Sequence, residues 1–168
     1  MNPAGRLPVT FYKADEKLPA FDDYSMQNRT YRYFKGQPLY AFGHGLSYTR
    51  FEYSDIKLNR AAVGSNEPVR VTLKVKNAGA KAGDEVVQLY LRPVDPKRPR
   101  AQHELRGIER ISLKPGEVRE VSFDVLPTRD LTYYDADKKS YAVDAGGYEV
   151  QVGASSADIR LTERMTIR

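Results

Sequence analysis

Val69-Arg-Val-Thr-Leu-Lys-Val-Lys76 puts apolar side chains at Val69, Val71, Leu73 and Val75 and polar ones at Arg70, Thr72, Lys74 and Lys76. Successive side chains of a strand point to opposite faces, so this stretch reads as a strand with one buried and one wet side. The same grammar repeats outward from it. Asn77-Ala-Gly79 with Gly83-Asp84 supplies turn chemistry, and Val87, Leu89 and Leu91 resume the alternation until Pro93 removes a backbone donor. Upstream, Phe51, Tyr53, Ile56 and Leu58 form an earlier strand that ends before the Gly64–Pro68 loop.

Downstream, the three prolines Pro93, Pro96 and Pro99 and many charges make the stretch from Pro93 to Arg110 an expected long surface connection, with Leu105 and Ile108 tucked onto the body. Lys114-Pro-Gly-Glu117 is a turn signal before the alternating Val121, Phe123 and Val125, and Pro127 closes that strand. A hairpin is expected with Leu131–Asp135 and Ser140–Val143 around Asp137-Lys-Lys139. The last pair is expected at Tyr148–Val152 and Leu161–Ile167, joined across Gly153–Ser156. Asp144-Ala-Gly-Gly-Tyr148-Glu-Val150 has the Asp-x-Gly-x-Tyr spacing of the corner that opens the penultimate strand of immunoglobulin-like sandwiches. Tyr148 is therefore read as structural, its hydroxyl bonding nearby backbone. The expected fold class is all-β: an immunoglobulin-like β-sandwich of about seven strands over residues 41–168, with no long helix. Residues 1–40 are read as an extended arm, because prolines punctuate them and neither periodicity persists.

A length of 168 residues suits one domain plus such an arm, and no run approaches the ~18 apolar residues of a membrane helix. No membrane partner is expected. The absence of cysteine removes disulfides, thiolate chemistry and cysteine zinc sites, leaving His44 and His103 as the only imidazoles. No metal and no cofactor are expected. The net charge of +5 raises nucleic acid as a partner, but the densest basic stretch, Arg92–Arg110, also carries Asp95, Glu104 and Glu109, and polyanion binding is outweighed. Asn2-Pro-Ala-Gly-Arg6 directly after Met1 offers no apolar signal region, which suits an internal sequence behind a start codon.

Acid–base hydrolysis by paired carboxyl groups needs the two about 5–9.5 Å apart across the scissile bond. Asp22-Asp23 is the tempting doublet, yet neighbours in an extended segment point to opposite sides. No catalytic residue is assigned. His44, between Gly43 and Gly45, reads as turn geometry, and His103, among Arg100, Glu104 and Arg106, as a solvated side chain. The Gly43-His-Gly45 pair lacks the Gly-Lys-Ser/Thr of a phosphate loop. The remaining candidates are aromatic and basic residues of the arm: Tyr24, Arg29, Tyr31, Arg32, Tyr33 and Phe34, with Tyr40 and Phe42 close behind. Aromatic rings and arginines serve a protein interface and a sugar contact equally well. Both readings stay open, and exposure of these rings would favour self-association.

Three stretches together carry a resemblance: Gly5-Arg-Leu-Pro-Val-Thr-Phe11, the run Asp22–Phe34, and Pro38-Leu-Tyr-Ala-Phe-Gly-His-Gly-Leu-Ser-Tyr-Thr-Arg-Phe51. They closely resemble the C-terminal part of family 3 glycoside hydrolases of the β-glucosidase and β-xylosidase type. The likeness implies a fibronectin type III-like sandwich behind the end of an α/β sandwich domain and its linker. It implies that both catalytic acids lie in domains outside this chain, which looks like a fragment inactive by itself. Its implied role is a non-catalytic accessory domain bracing the catalytic domains of a parent glycosidase, bacterial periplasmic or secreted. The alternative is a carbohydrate-binding module that contacts polysaccharide through exposed tyrosines.

Overall fold

A computed structural model describes residues 2–17 and 19–168. Ten strands and two one-turn helices follow one another as α1 (Thr30–Tyr33), β1 (Phe51–Leu58), β2 (Ala62–Val63), β3 (Val69–Asn77), β4 (Gly83–Pro93), β5 (Glu104–Leu113), β6 (Val118–Val125), α2 (Pro127–Asp130), β7 (Tyr133–Asp135), β8 (Ser140–Ala142), β9 (Gly146–Ser155) and β10 (Asp158–Ile167). Seven of the strands are long. They form two facing sheets, β1-β3-β6 and β2-β10-β9-β4-β5, and β7 and β8 make a separate hairpin. Among the described residues the only parallel pairing is the two-residue β2 against the end of β10.

The alternation around Val69–Val75 explains the core. Val69, Val71, Leu73 and Val75 are essentially inaccessible and face Val87, Leu89, Leu91, Val150, Val152, Met165 and Ile167 of the other sheet. Each such side chain contributes about 1.5–3 kcal/mol by leaving water. On the opposite face of β3, Arg70 is fork-bonded to Asp124 of β6, a cross-strand pair at the surface. Tyr148 is 2% exposed and its hydroxyl donates to the Asp144 carbonyl at 3.0 Å, as the corner spacing predicts.

Three expectations are corrected. Residues 104–113 are strand β5, not part of a surface connection, and they pair with β4 from Gly83 to Leu91; the true connection runs over 94–103. Its alternation is hidden by a bulge: Leu89 faces Gly107 and Tyr90 faces Leu105, so Arg106 is the extra residue. The core side of β5 is Gly107, Glu109, Ile111 and Leu113, while Leu105 and Ile108 share the outer face with Tyr90 and Gln88, and Ile108 stays exposed. Secondly, the β9–β10 turn lies at Ser155–Asp158, because β9 runs three residues longer than the apolar pattern suggests. Thirdly, His103 is not a solvated side chain but is packed and half-buried.

Candidate functional site

The outer face of the larger sheet ought to be wet, yet Gln88 and Tyr90 on β4 and Gln151 on β9 are buried there. The first fifty residues are the reason. Two passes of the arm pair with each other: Leu7 and His44 share a backbone bond, Gly43 donates to Leu7, and Phe11 exchanges bonds with Tyr40 and Leu39. Phe42 then accepts from the Ser156 N–H at the β9–β10 turn. The paired passes lie on the sheet.

Gly43 is needed at this crossing. Its φ is +80°, and a Cβ there would run into the Gln88 carboxamide. Gln88 Nε2 donates to the carbonyls of Gly43 and Ala154, and its Oε1 accepts from the Tyr90 hydroxyl at 2.6 Å. A buried amide with all its neighbours supplied joins arm, β4 and β9.

Aromatic packing continues the seam. Tyr31 stacks on Phe42 with centroids 4.2 Å apart and meets Tyr90 edge-on at 6.0 Å. His103 stacks on Tyr90 at 4.9 Å, and its Nδ1 lies 3.1 Å from Gln151 Oε1. Burial lowers the His103 pKa below its usual value, and Arg92 adds to that against the Gln151 hydrogen bond. Phe34 is buried against Tyr12 at 4.9 Å. The Tyr31 hydroxyl accepts from the Leu105 N–H, and Gln102 bonds the carbonyls of Arg32 and Phe34. Arg32 pairs with Glu104 at 3.5 Å.

A buried charge pair pins the start of the arm. Arg6 Nη2 donates to Glu85 Oε1 at 3.1 Å, and the same oxygen accepts from the Tyr53 hydroxyl at 2.9 Å. Both charged side chains are nearly inaccessible, 12% and 4% exposed. Burial first, then the Glu85 carboxylate, drives the Tyr53 pKa far upward, so it stays a donor. Arg160 lies over the Tyr53 ring at 4.8 Å.

The sequence candidates therefore separate. Tyr31 and Phe34 face inward onto the sandwich, and Arg29 ties its own loop by bonding the carbonyls of Ala20 and Asp23. Tyr24 is 86% exposed, with Phe21 beside it in sequence at 94%. Tyr33 lines a surface depression of about 430 Å³ with Arg98, Glu104, Thr132 and Tyr134. The arm is ordered by its own sandwich. Hydrogen bonding from the Ser25 side chain, then from its N–H at 2.8 Å, holds the Asp23 pKa below the usual carboxylate range. His44 leans on Tyr40, and its N–H closes a turn onto Ala41.

The basic stretch is largely neutralised: Arg92 pairs with Glu149, Arg98 with Asp135 and Asp144, Arg100 with Asp144, Arg106 with Glu104 and Arg110 with Asp84. Arg98 and Arg100 also lie over the Tyr133 ring at 4.5 and 4.8 Å, and Tyr133 donates to Asp144. Burial opposes ionisation of Asp135, but the N–H groups of Lys138 and Asp137 and the charge of Arg98 hold its pKa low. Among the described residues no three His, Asp or Glu side chains gather as a metal site would require, and no helix is long and apolar enough to cross a membrane.

Comparison with known proteins agrees with this layout. Residues 1–48 match the glycosyl hydrolase family 3 C-terminal domain, and residues 85–156 match the fibronectin type III-like domain. The chain is 42% identical to a xylan 1,4-beta-xylosidase of Xylanibacter ruminicola over 99% of its own length and 19% of the relative's. It is 38% identical to thermostable beta-glucosidase B of Acetivibrio thermocellus, over 99% of this chain and 24% of that one. It thus spans about a quarter or less of these relatives. Among solved structures, a family 3 beta-glucosidase of Bifidobacterium adolescentis superposes with a TM-score of 0.85 at 31% identity, covering 99% of this chain and 26% of that chain. Beta-glucosidase 3B of Thermotoga neapolitana gives 0.83 at 35%, covering 98% and 24%. A terminal arm of the family 3 type laid over a fibronectin type III-like sandwich places this chain in the C-terminal region of the family 3 glycoside hydrolases.

Proposed function

We propose that this chain is a non-catalytic brace. Residues 1–40 serve as the arm and residues 41–168 as the sandwich that holds it against the catalytic domains of a β-glucosidase or β-xylosidase. One observation carries the reading. Of the thirteen large apolar side chains left exposed among the described residues, nine belong to the arm and the turn after it, from Val9 to Tyr48. The inner side of that segment is spent on the sandwich; its outer side presents Phe21, Tyr24, Leu39, Leu46 and Tyr48 to water. An ordered segment with exposed aromatic and aliphatic groups suits a protein–protein joint. Asp84, Glu104, Glu117 and Asp144, which line surface depressions, are held in ion pairs, which suits support rather than hydrolysis.

A domain exchange tests this. The Xylanibacter ruminicola xylosidase is prepared intact, without the stretch aligned to this chain, and with this chain in that place. The exchanged protein should recover thermal stability and turnover that the shortened one lacks, and the isolated chain should hydrolyse neither aryl β-glucosides nor aryl β-xylosides. Turnover by the isolated chain, or an exchanged protein no better than the shortened one, overturns the proposal.

A further inference from the structure

The β7–β8 hairpin is three residues on each side and is clasped from outside its own strands. Arg98 and Arg100 grip the Tyr133 ring from the 94–103 connection, and Asp135 and Asp144 anchor both arginines. The partners on the hairpin's outer side do nothing for this scaffold. Tyr134 and Tyr141 are cross-strand neighbours whose rings meet edge-to-face at 5.5 Å and 74°, and they are 57% and 76% exposed. Their hydroxyls bond no described residue, nor does that of Tyr33.

Each ring borders a shallow depression. Tyr134 lines the 430 Å³ hollow together with Tyr33, Arg98 and Glu104, and Tyr141 lines one of about 340 Å³ with Ser65, Thr128 and Val143. Thr132 borders both, so the two are contiguous. Either volume falls within the ~300–1,000 Å³ of small-ligand sites.

From this geometry we infer that the β7–β8 hairpin is a binding site for an oligosaccharide of pyranose rings. The rings of Tyr134 and Tyr141 stack on the sugars' C–H faces, and Tyr33 and Arg98 bond their hydroxyls. Two features select that ligand. Pyranoses with equatorial hydroxyls offer flat apolar faces that match exposed tyrosine rings. Arg98 is paired with its carboxylates only at 3.6 and 3.7 Å, beyond hydrogen-bond reach, so its N–H groups remain able to donate. The site borrows Tyr33 from the arm but none of the side chains proposed for the joint, and its binding test on the isolated chain does not depend on that role.

The isolated chain is titrated with xylohexaose and with cellohexaose, and amide shifts are followed by NMR. At least one probe should bind saturably with a Kd between about 10 μM and 1 mM, with shifts confined to residues 132–134, 141–143 and 98–104. Tyr134→Ala with Tyr141→Ala should weaken binding by about tenfold per ring without altering the melting temperature, whereas Tyr24→Ala should leave it unchanged. No shift with either sugar up to about 10 mM, shifts mapping to the Phe21–Tyr24 loop, or undiminished binding by the double variant overturns the inference. Protection of the hairpin amides by the catalytic body in the exchanged xylosidase would do so as well, since it would make the tyrosines a protein contact.

Discussion

Tyr148 and His103 are both buried aromatic groups with a polar atom, and their consequences differ. The Tyr148 hydroxyl satisfies one backbone carbonyl inside the corner. Tyr148→Phe should cost about 1–2 kcal/mol, read as a lower urea midpoint with an unchanged slope, because the ring still packs while the Asp144 carbonyl loses its partner. His103 acts through protonation. Its folded pKa lies below the unfolded value of about 6.5, so the unfolded chain takes up the proton first; its stabilising contribution is complete above that pH and is lost as pH falls toward the folded pKa. The melting temperature should therefore decline below about pH 6.5, and His103→Gln should flatten that decline. A slope identical in both proteins would assign the acid sensitivity elsewhere.

Arm and sandwich are joined by elements that neither stabilises alone. Arg6 brings its charge into a nearly closed site only because Glu85 and Tyr53 of the sandwich are already there. Removing one partner of a buried pair leaves the other uncompensated, so Arg6→Ala should cost about 3 kcal/mol. Hydrogen exchange is the informative readout: the amides of Leu7 and Phe11 should lose protection while those of β3 and β4 keep theirs. Gly43→Ala strikes the same junction, since it both strains the backbone and displaces Gln88. A loss of about 2 kcal/mol or more is expected. Strand β5 belongs to this scale too. Its bulge and its Gly107, where a Cβ would meet the Phe123 ring, remove the period-two signal from a segment that nonetheless pairs across nine residues of β4.

For the whole molecule, the exposed arm and the neutralised charge pattern make separate predictions. Phe21→Ser with Tyr24→Ser should leave the melting temperature of the isolated chain within about 1 °C, because neither ring is buried, yet lower the stability regained by the exchanged xylosidase. Equal stability of the exchanged protein with and without the two substitutions would remove these rings from the joint. The extended Arg92–Arg110 stretch should retain no duplex DNA at physiological salt, as its arginines are already paired within the fold.

What could be read from residues alone was whatever local physics enforces. Alternation at Val69–Val75, turn chemistry at Lys114–Glu117 and the spacing around Tyr148 each decide a backbone shape within a few residues. They carry the all-β class and most strand positions. The three family-like stretches before Phe51 carry the relationship to the glycoside hydrolases. Only the tertiary structure decided which side of each arm residue is spent: Tyr31 and Phe34 turn inward and Tyr24 outward, though all three share one aromatic-basic run. The same is true of Gln88, Tyr90 and His103, whose polar or outward positions imply water until residues more than forty positions away cover them. Burial is set by long-range contact, and a pattern of neighbours in sequence holds no record of what the folded chain will lay on top of it.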